Sequence, residues 1–252
     1  MRMISIESPL LWLVMYILLS GSASLLFHEA GSAILQELAV TVSCAILSLT
    51  LFRCLKRRGR LMAAGLCRPK GSARRLLFYL PLVWVAFSPL LYEPLLASFP
   101  DILVVVLRFL FAGFLEEMIF RALTMEALRG YTGKVHAMML SALFFALCHL
   151  FGGLGRMAPV VLTFQAMYSF AAGIVLCLVF TLSGSILPGL IFHVLHNVIL
   201  ALTGFGLGDD LQLLTTINQA VMCLYSVYLL FVYKSDMDAA RVHGPGEESE
   251  VT

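Results

Sequence analysis

Apolar runs of about twenty residues recur along the whole chain, and they leave few folds open to it. A helix rising 1.5 Å per residue needs about 20 apolar residues to cross the ~30 Å hydrocarbon layer of a bilayer. Runs of that kind lie near 9–27, 34–52, 76–97, 102–128, 136–151, 157–182, 185–204 and 211–233. They predict an all-α, polytopic integral membrane protein of about eight transmembrane helices around a polar intramembrane cavity. Composition agrees: 60% of residues are hydrophobic and 13% charged, with a mean hydropathy of +0.94, well above what a water-soluble domain tolerates. The first run is long and lacks a convincing small-residue cleavage site, so it reads as a retained span.

The net charge of +2 is close to neutral and gives no reason to expect nucleic acid as a partner. Where the cations fall is more informative. Arg53, Lys56, Arg57, Arg58, Arg60, Arg68, Lys70, Arg74 and Arg75 crowd one loop, which the positive-inside rule puts in the cytoplasm against anionic lipid. Alternation from there makes both termini cytoplasmic, with Arg129, Lys134, Lys234 and Arg241 inside and Arg156 in an outer loop. A cell membrane, most simply a bacterial plasma membrane, is the expected location. Residues 1–234 form the membrane domain, and the polar 235–252, ending "GPGEESEVT", read as a disordered cytoplasmic tail. The six cysteines are scattered through apolar runs without metal-ligand spacing and read as small hydrophobes. No internal repeat is visible.

Against this background "FLEEMIFR", residues 114–121, stands out. Ionised groups at the centre of a bilayer cost roughly 2.5 to 3.5 kcal/mol each even on lenient scales, so Glu116, Glu117 and Arg121 need a reason. On a helix Glu117 and Arg121 stand at i and i+4 and can pair, while Glu116 points about 100° away. That makes Glu117 and Arg121 a supporting ion pair and leaves Glu116 with no local partner, although the segment alone equally allows all three to lock a helix interface. Further along, "FALCH" carries His149 one turn after Phe145, and "HVLHN" carries His193 and Asn197 on one face with His196 at its flank. Counted at 1.5 Å per residue, Glu116, His149 and Asn197 lie roughly 18 to 20 Å from the cytoplasmic ends of their spans and His193 roughly 12 Å, so the four can meet.

Hydrolysis of a peptide bond inside a membrane requires an activated water and donors for the oxyanion of the tetrahedral intermediate. Removal from water makes a carboxylate a stronger base, which qualifies Glu116, and His149 can hold the same water. His193 and Asn197 can donate from one helix face to the oxyanion. "EEMIFR", "FALCH" and "HVLHN" resemble, in that order, the EExxxR, FxxxH and HxxxN motifs of the CPBP family, which contains the type II CAAX prenyl proteases and bacterial Abi proteins. The resemblance implies an intramembrane glutamic endopeptidase: Glu116 and His149 activate water, His193 and Asn197 form the oxyanion site, Glu117 and Arg121 support them, and no cofactor is needed. Its motif core covers 102–204; the first three spans and the tail carry no motif.

Other protease patterns fail on particular residues. "GLGD" at Gly206–Asp209 imitates an intramembrane aspartyl protease but lies in an outer loop without a second aspartate at depth. Ser183 in "TLSG" has threonine where a rhomboid serine motif needs glycine, and "HEAGS" at His28 lacks the second histidine of a zinc-binding HExxH. A carboxylate with two histidines is also a zinc set in composition, and the family resembled has often been labelled metalloprotease. The resemblance favours His193 and Asn197 as donors instead. The alternatives are a zinc-dependent intramembrane protease, a non-catalytic scaffold or regulator of the same family, and a transporter, for which the expected inverted repeats are absent. The expected partners are the lipid bilayer and a peptide or protein substrate at the membrane. A short membrane-associated peptide is preferred to a prenylated one if the source is bacterial.

Overall fold

The computed structural model describes residues 8–28, 33–70, 79–91, 99–154, 157–203 and 209–242, and among these there is no strand. Helix α1 spans Pro9–His28 and α2 Ala33–Arg57; α3, Leu80–Phe87, runs on as a 3-10 turn, Ser88–Leu91. Helix α4, Phe99–Glu117, passes without a break into a π-helical segment, Met118–Thr124, and then into α5, Met125–Thr132. Helices α6 (Lys134–Gly153), α7 (Pro159–Ser183), α8 (Leu187–Leu202) and α9 (Asp209–Val242) complete the chain. Among the described residues four helical stretches are long and apolar enough to cross a membrane: Ile34–Arg57, Lys134–Gly153, Pro159–Ser183 and Leu213–Ser235. Pro9–Ser22, Leu80–Leu91 and Leu187–Leu202 are apolar but shorter.

Several boundaries differ from the sequence reading. Helix α2, expected to end at 52 with the basic loop from Arg53, runs on to Arg57. The run at 102–128, expected as one span, is an α–π–α rod that starts at Phe99 and ends at Thr132. The stretch expected to be disordered from residue 235 is helical through Val242, because no glycine or proline interrupts the chain between Lys234 and Gly244. Residues 243–252 lie outside the described residues.

The helices close around two apolar clusters. One gathers Leu47 and Leu51 of α2, Leu115 of α4, Met118, Ile119 and Phe120 of the π segment, and Phe145 of α6. The other is built on Val175–Val179 of α7 with Leu82 and Val85 of α3, Phe192 of α8 and Met222 and Leu229 of α9. Small residues let backbones approach where helices cross. A Cβ on Gly173 of α7 would sit 3.0 Å from Ala142 Cα of α6, and one on Gly113 of α4 3.3 Å from Val194 Cγ2 of α8. Outside the clusters Leu18, Ile46, Val160, Leu224 and Phe231 are exposed, an apolar surface suited to lipid.

The basic loop after α2 is tied to the start of α8. The Ile186 N–H donates to the Gly65 carbonyl (3.0 Å), the Lys70 N–H to the Ser183 carbonyl (2.8 Å), and Ser185 Oγ to the Cys67 carbonyl (2.6 Å). Gly65 has φ +76°, and a Cβ there would stand 2.4 Å from the Phe180 ring, so only glycine fits this crossing. The turn that launches α8, the helix of His193 and Asn197, is thereby fixed in place.

Candidate active site

The polar residues meet between the two clusters, at the point where α4 becomes π-helical. Glu116 and Glu117 end α4, and the wider turns that follow contain Arg121. In the π segment the Met125 N–H reaches back five residues to the Phe120 carbonyl, which also accepts from Ser141 Oγ of α6 at 2.6 Å. The distortion is thus held by a buried donor from the helix carrying His149. Single π turns inside α-helices are frequently found at functional sites.

Arg121 is fully buried, with one guanidinium nitrogen 3.3 Å from Glu117 Oε1 and the guanidinium carbon 4.2 Å from the centre of the Phe145 ring. No guanidinium nitrogen makes a well-aligned hydrogen bond among the described residues, so charge and ring contact carry this pairing. Glu117 has a second partner that local spacing does not reveal. Its Oε1 lies 3.0 Å from His193 Nδ1. A carboxylate only accepts, so Nδ1 carries a proton, and Nε2 faces Glu116 Oε2 at 3.4 Å. Gly189, one turn before His193, permits this: a Cβ there would come 3.1 Å from Glu117 Oε2.

His149 turns its Nδ1–H to the Phe145 carbonyl at 3.0 Å, which leaves Nε2 as an acceptor. Phe145 lies at the centre of the group. Its ring is 4.4 Å from that of His149 and 5.8 Å from that of His193, and it meets Phe120 edge-on at 5.2 Å. Asn197, one turn after His193, joins His149 and His193 in the wall of a cavity of about 750 Å³. That wall is largely apolar, with Val160, Phe164, Ala172 and Leu200 among its residues, where the sequence reading expects a polar cavity. Apolar side chains of α7 and α8 make up much of this wall, and polar groups enter it from α6, α7, α8 and α9, Asn218 of α9 among them. Glu116 is not among the wall residues; it adjoins the cavity through His193.

Several neighbours escape a reading by motif. Tyr16 of α1 donates its hydroxyl to Glu116 Oε1 at 2.8 Å. Arg108 of α4 pairs with Glu37 of α2, a second ion pair inside expected spans. His196 is buried, stacked on Phe192 and hydrogen bonded through Nε2 to the Tyr168 hydroxyl at 3.0 Å. The aromatic of "FALCH" hinted at Phe145, whereas nothing local points to Tyr16.

Of the rejected patterns only the serine of "TLSG" is fully described. Ser183 Oγ donates to the Ser185 carbonyl at the end of α7. His28 closes α1, and the rest of "HEAGS" lies outside the described residues, as do residues 206–208 of "GLGD". Among the described residues no group of three or more His, Cys, Asp or Glu is disposed to hold a metal ion.

Residues 98–199 match the family model described as Type II CAAX prenyl endopeptidase Rce1-like, a stretch that contains Glu116, Glu117, Arg121, His149, His193 and Asn197. No curated protein matches the chain.

Proposed function

We propose, from the premise that this chain is a member of the CAAX protease family through its residues 98–199, that it is an intramembrane endopeptidase whose base is Glu116. The observation that carries the reading is the buried series in which Glu116 Oε2 faces His193 Nε2 at 3.4 Å and His193 Nδ1 meets Glu117 at 3.0 Å, beside a cavity that His149 and Asn197 also line. Membrane residence follows from the family and the apolar helices. Eight crossings with both termini in the cytoplasm are part of the proposal.

A water lying between Glu116 and His149 would lose a proton to Glu116 Oε2, while His149 Nε2 accepts its second hydrogen. Its oxygen bonds to the scissile carbonyl carbon and the carbonyl electrons move to oxygen. Asn197 donates to that oxyanion from its side-chain amide. His193, whose Nε2 faces Glu116, receives the proton from Glu116 and then presents an N–H. Collapse of the intermediate breaks the C–N bond, and the same proton leaves on the amine. Glu117 holds the His193 ring in register throughout, and Arg121 balances Glu117. The largely apolar cavity suits a membrane-associated peptide whose segment beside the scissile bond is apolar.

The test uses protein reconstituted in liposomes with two probes, a farnesylated peptide ending in a CAAX sequence and an unprenylated hydrophobic peptide. Cleavage of either by the parent, loss of that cleavage in Glu116→Gln at equal folded yield, and an undiminished rate after exhaustive chelation are expected. Asn197→Ala should lower kcat on the order of 10²-fold. A Glu116→Gln protein as active as the parent would favour a scaffold or another base. Activity lost on chelation and restored only by added zinc would turn Glu116, His149 and His193 into metal ligands.

A further inference from the structure

We infer that Tyr16 is a positioning residue for Glu116, so that α1, a helix outside the segment matched to the family, completes the reacting group. The inference rests on Glu116 being the base. The side chain of Glu116 is 15% exposed, and its two oxygens have different surroundings. Oε1 accepts the Tyr16 hydroxyl at 2.8 Å, whereas Oε2 is buried without a hydrogen bond among the described residues and faces His193. A buried carboxylate oxygen left without a donor is costly, and it is also the oxygen free to take a proton. By donating to Oε1, Tyr16 restrains rotation of the carboxylate and lowers the basicity of that oxygen, which favours Oε2, the oxygen without a donor, as the one that receives a proton from water. A carboxylate free to rotate would offer either oxygen in many directions, few of them productive.

The local fold supplies Tyr16 with a firm base. Trp12, one turn earlier on the same face, is buried in the apolar cluster that contains Leu115 and Met118 on either side of the glutamates. The Tyr16 ring packs against the same cluster, so its hydroxyl is presented from a rigid surface and not from a loop. Without Tyr16 no other described hydroxyl bonds Glu116.

Tyr16→Phe removes the hydroxyl and keeps the ring, which separates positioning from packing. With the peptide probe that the parent cleaves, the expected result is a kcat about 10- to 100-fold lower, matching loss of one hydrogen bond to a charged group. KM should stay within about twofold and the folded yield near the parent's, because the cavity wall and the cluster are untouched, while the melting temperature falls by a few degrees at most as Glu116 Oε1 loses its donor. A kcat equal to the parent's, alongside an inactive Glu116→Gln, overturns the role of Tyr16 and leaves the base assignment standing. A fall in activity fully accounted for by a fall in folded yield, with the kcat of the folded fraction equal to the parent's, overturns it too, in favour of packing. An active Glu116→Gln removes the base reading and Tyr16's role with it.

Discussion

Glu117 is held from two sides, by Arg121 at 3.3 Å within its own helix and by His193 at 3.0 Å from α8. This decides what loss of Arg121 does. Removing one member of a buried ion pair typically costs about 3 to 5 kcal/mol, because the other charge is stranded. In Arg121→Ala the cost should fall toward the lower end of that range, since the His193 ring still donates to Glu117, but the folded yield in membranes should drop clearly below that of the parent. Arg121→Lys restores charge without the flat guanidinium that lies over Phe145, so its yield should be intermediate. Quantifying folded protein by size-exclusion in detergent checks both; equal yields for Ala and the parent would show that the pair does not stabilise the fold. The Glu117–Arg121 contact could be read from sequence because helical periodicity puts i and i+4 together. The contacts of Glu117 with His193 and of Glu116 with Tyr16 could not, since 76 and 100 residues separate the partners and only the order of helices around the bundle brings them together.

At the level of elements, hydropathy located the helices while backbone detail stayed hidden. An apolar run looks alike whether its hydrogen bonds close after four residues or five, so the π segment at Met118–Thr124 has no signature in "MIFRALT". The same holds for the apolar part of the cavity wall, which depends on which faces of α7 and α8 turn inward. Glycine positions carry the more testable consequence. Gly189 is the point where α8 backs onto Glu117, and a methyl group there would stand 3.1 Å from Glu117 Oε2 and 3.3 Å from Leu176 Cδ2. Gly189 has no positive φ, so alanine is acceptable to the backbone and even favoured in a helix. Gly189→Ala should therefore fold near normally, yet it should push Glu117 away from His193 and lower kcat by about tenfold or more through a misplaced ring. The paired measurement of melting temperature and kcat checks this. Loss of both together would mean that α8 itself had been displaced from the bundle.

For the whole molecule, orientation in the bilayer follows from where charge can and cannot go. Arg53, Lys56 and Arg57 end α2, Arg58, Arg60, Arg68 and Lys70 follow it, and hydrogen bonds from Ile186 to Gly65 and from Lys70 to Ser183 fasten the stretch after α2 to the turn between α7 and α8. The α2–α3 and α7–α8 connections therefore share one end of the molecule, as strict alternation of eight crossings requires of them. Cations within short loops stay on the cytoplasmic side during insertion, so this end should face the cytoplasm. Its opposite end holds the α6–α7 connection, where Gly153 and Pro159 bound the turn. Cysteine-accessibility labelling in intact cells tests the assignment without altering the fold, using single cysteines placed at exposed Arg57 and at Met157 in a background from which the six natural cysteines are removed. A membrane-impermeant maleimide should label the residue 157 position in intact cells and the residue 57 position only after permeabilisation. The reverse pattern would invert the protein and put the cations outside. Labelling of both positions from outside would break the alternation, and with it the eight-crossing count from which Glu116, His149 and Asn197 were given a common depth.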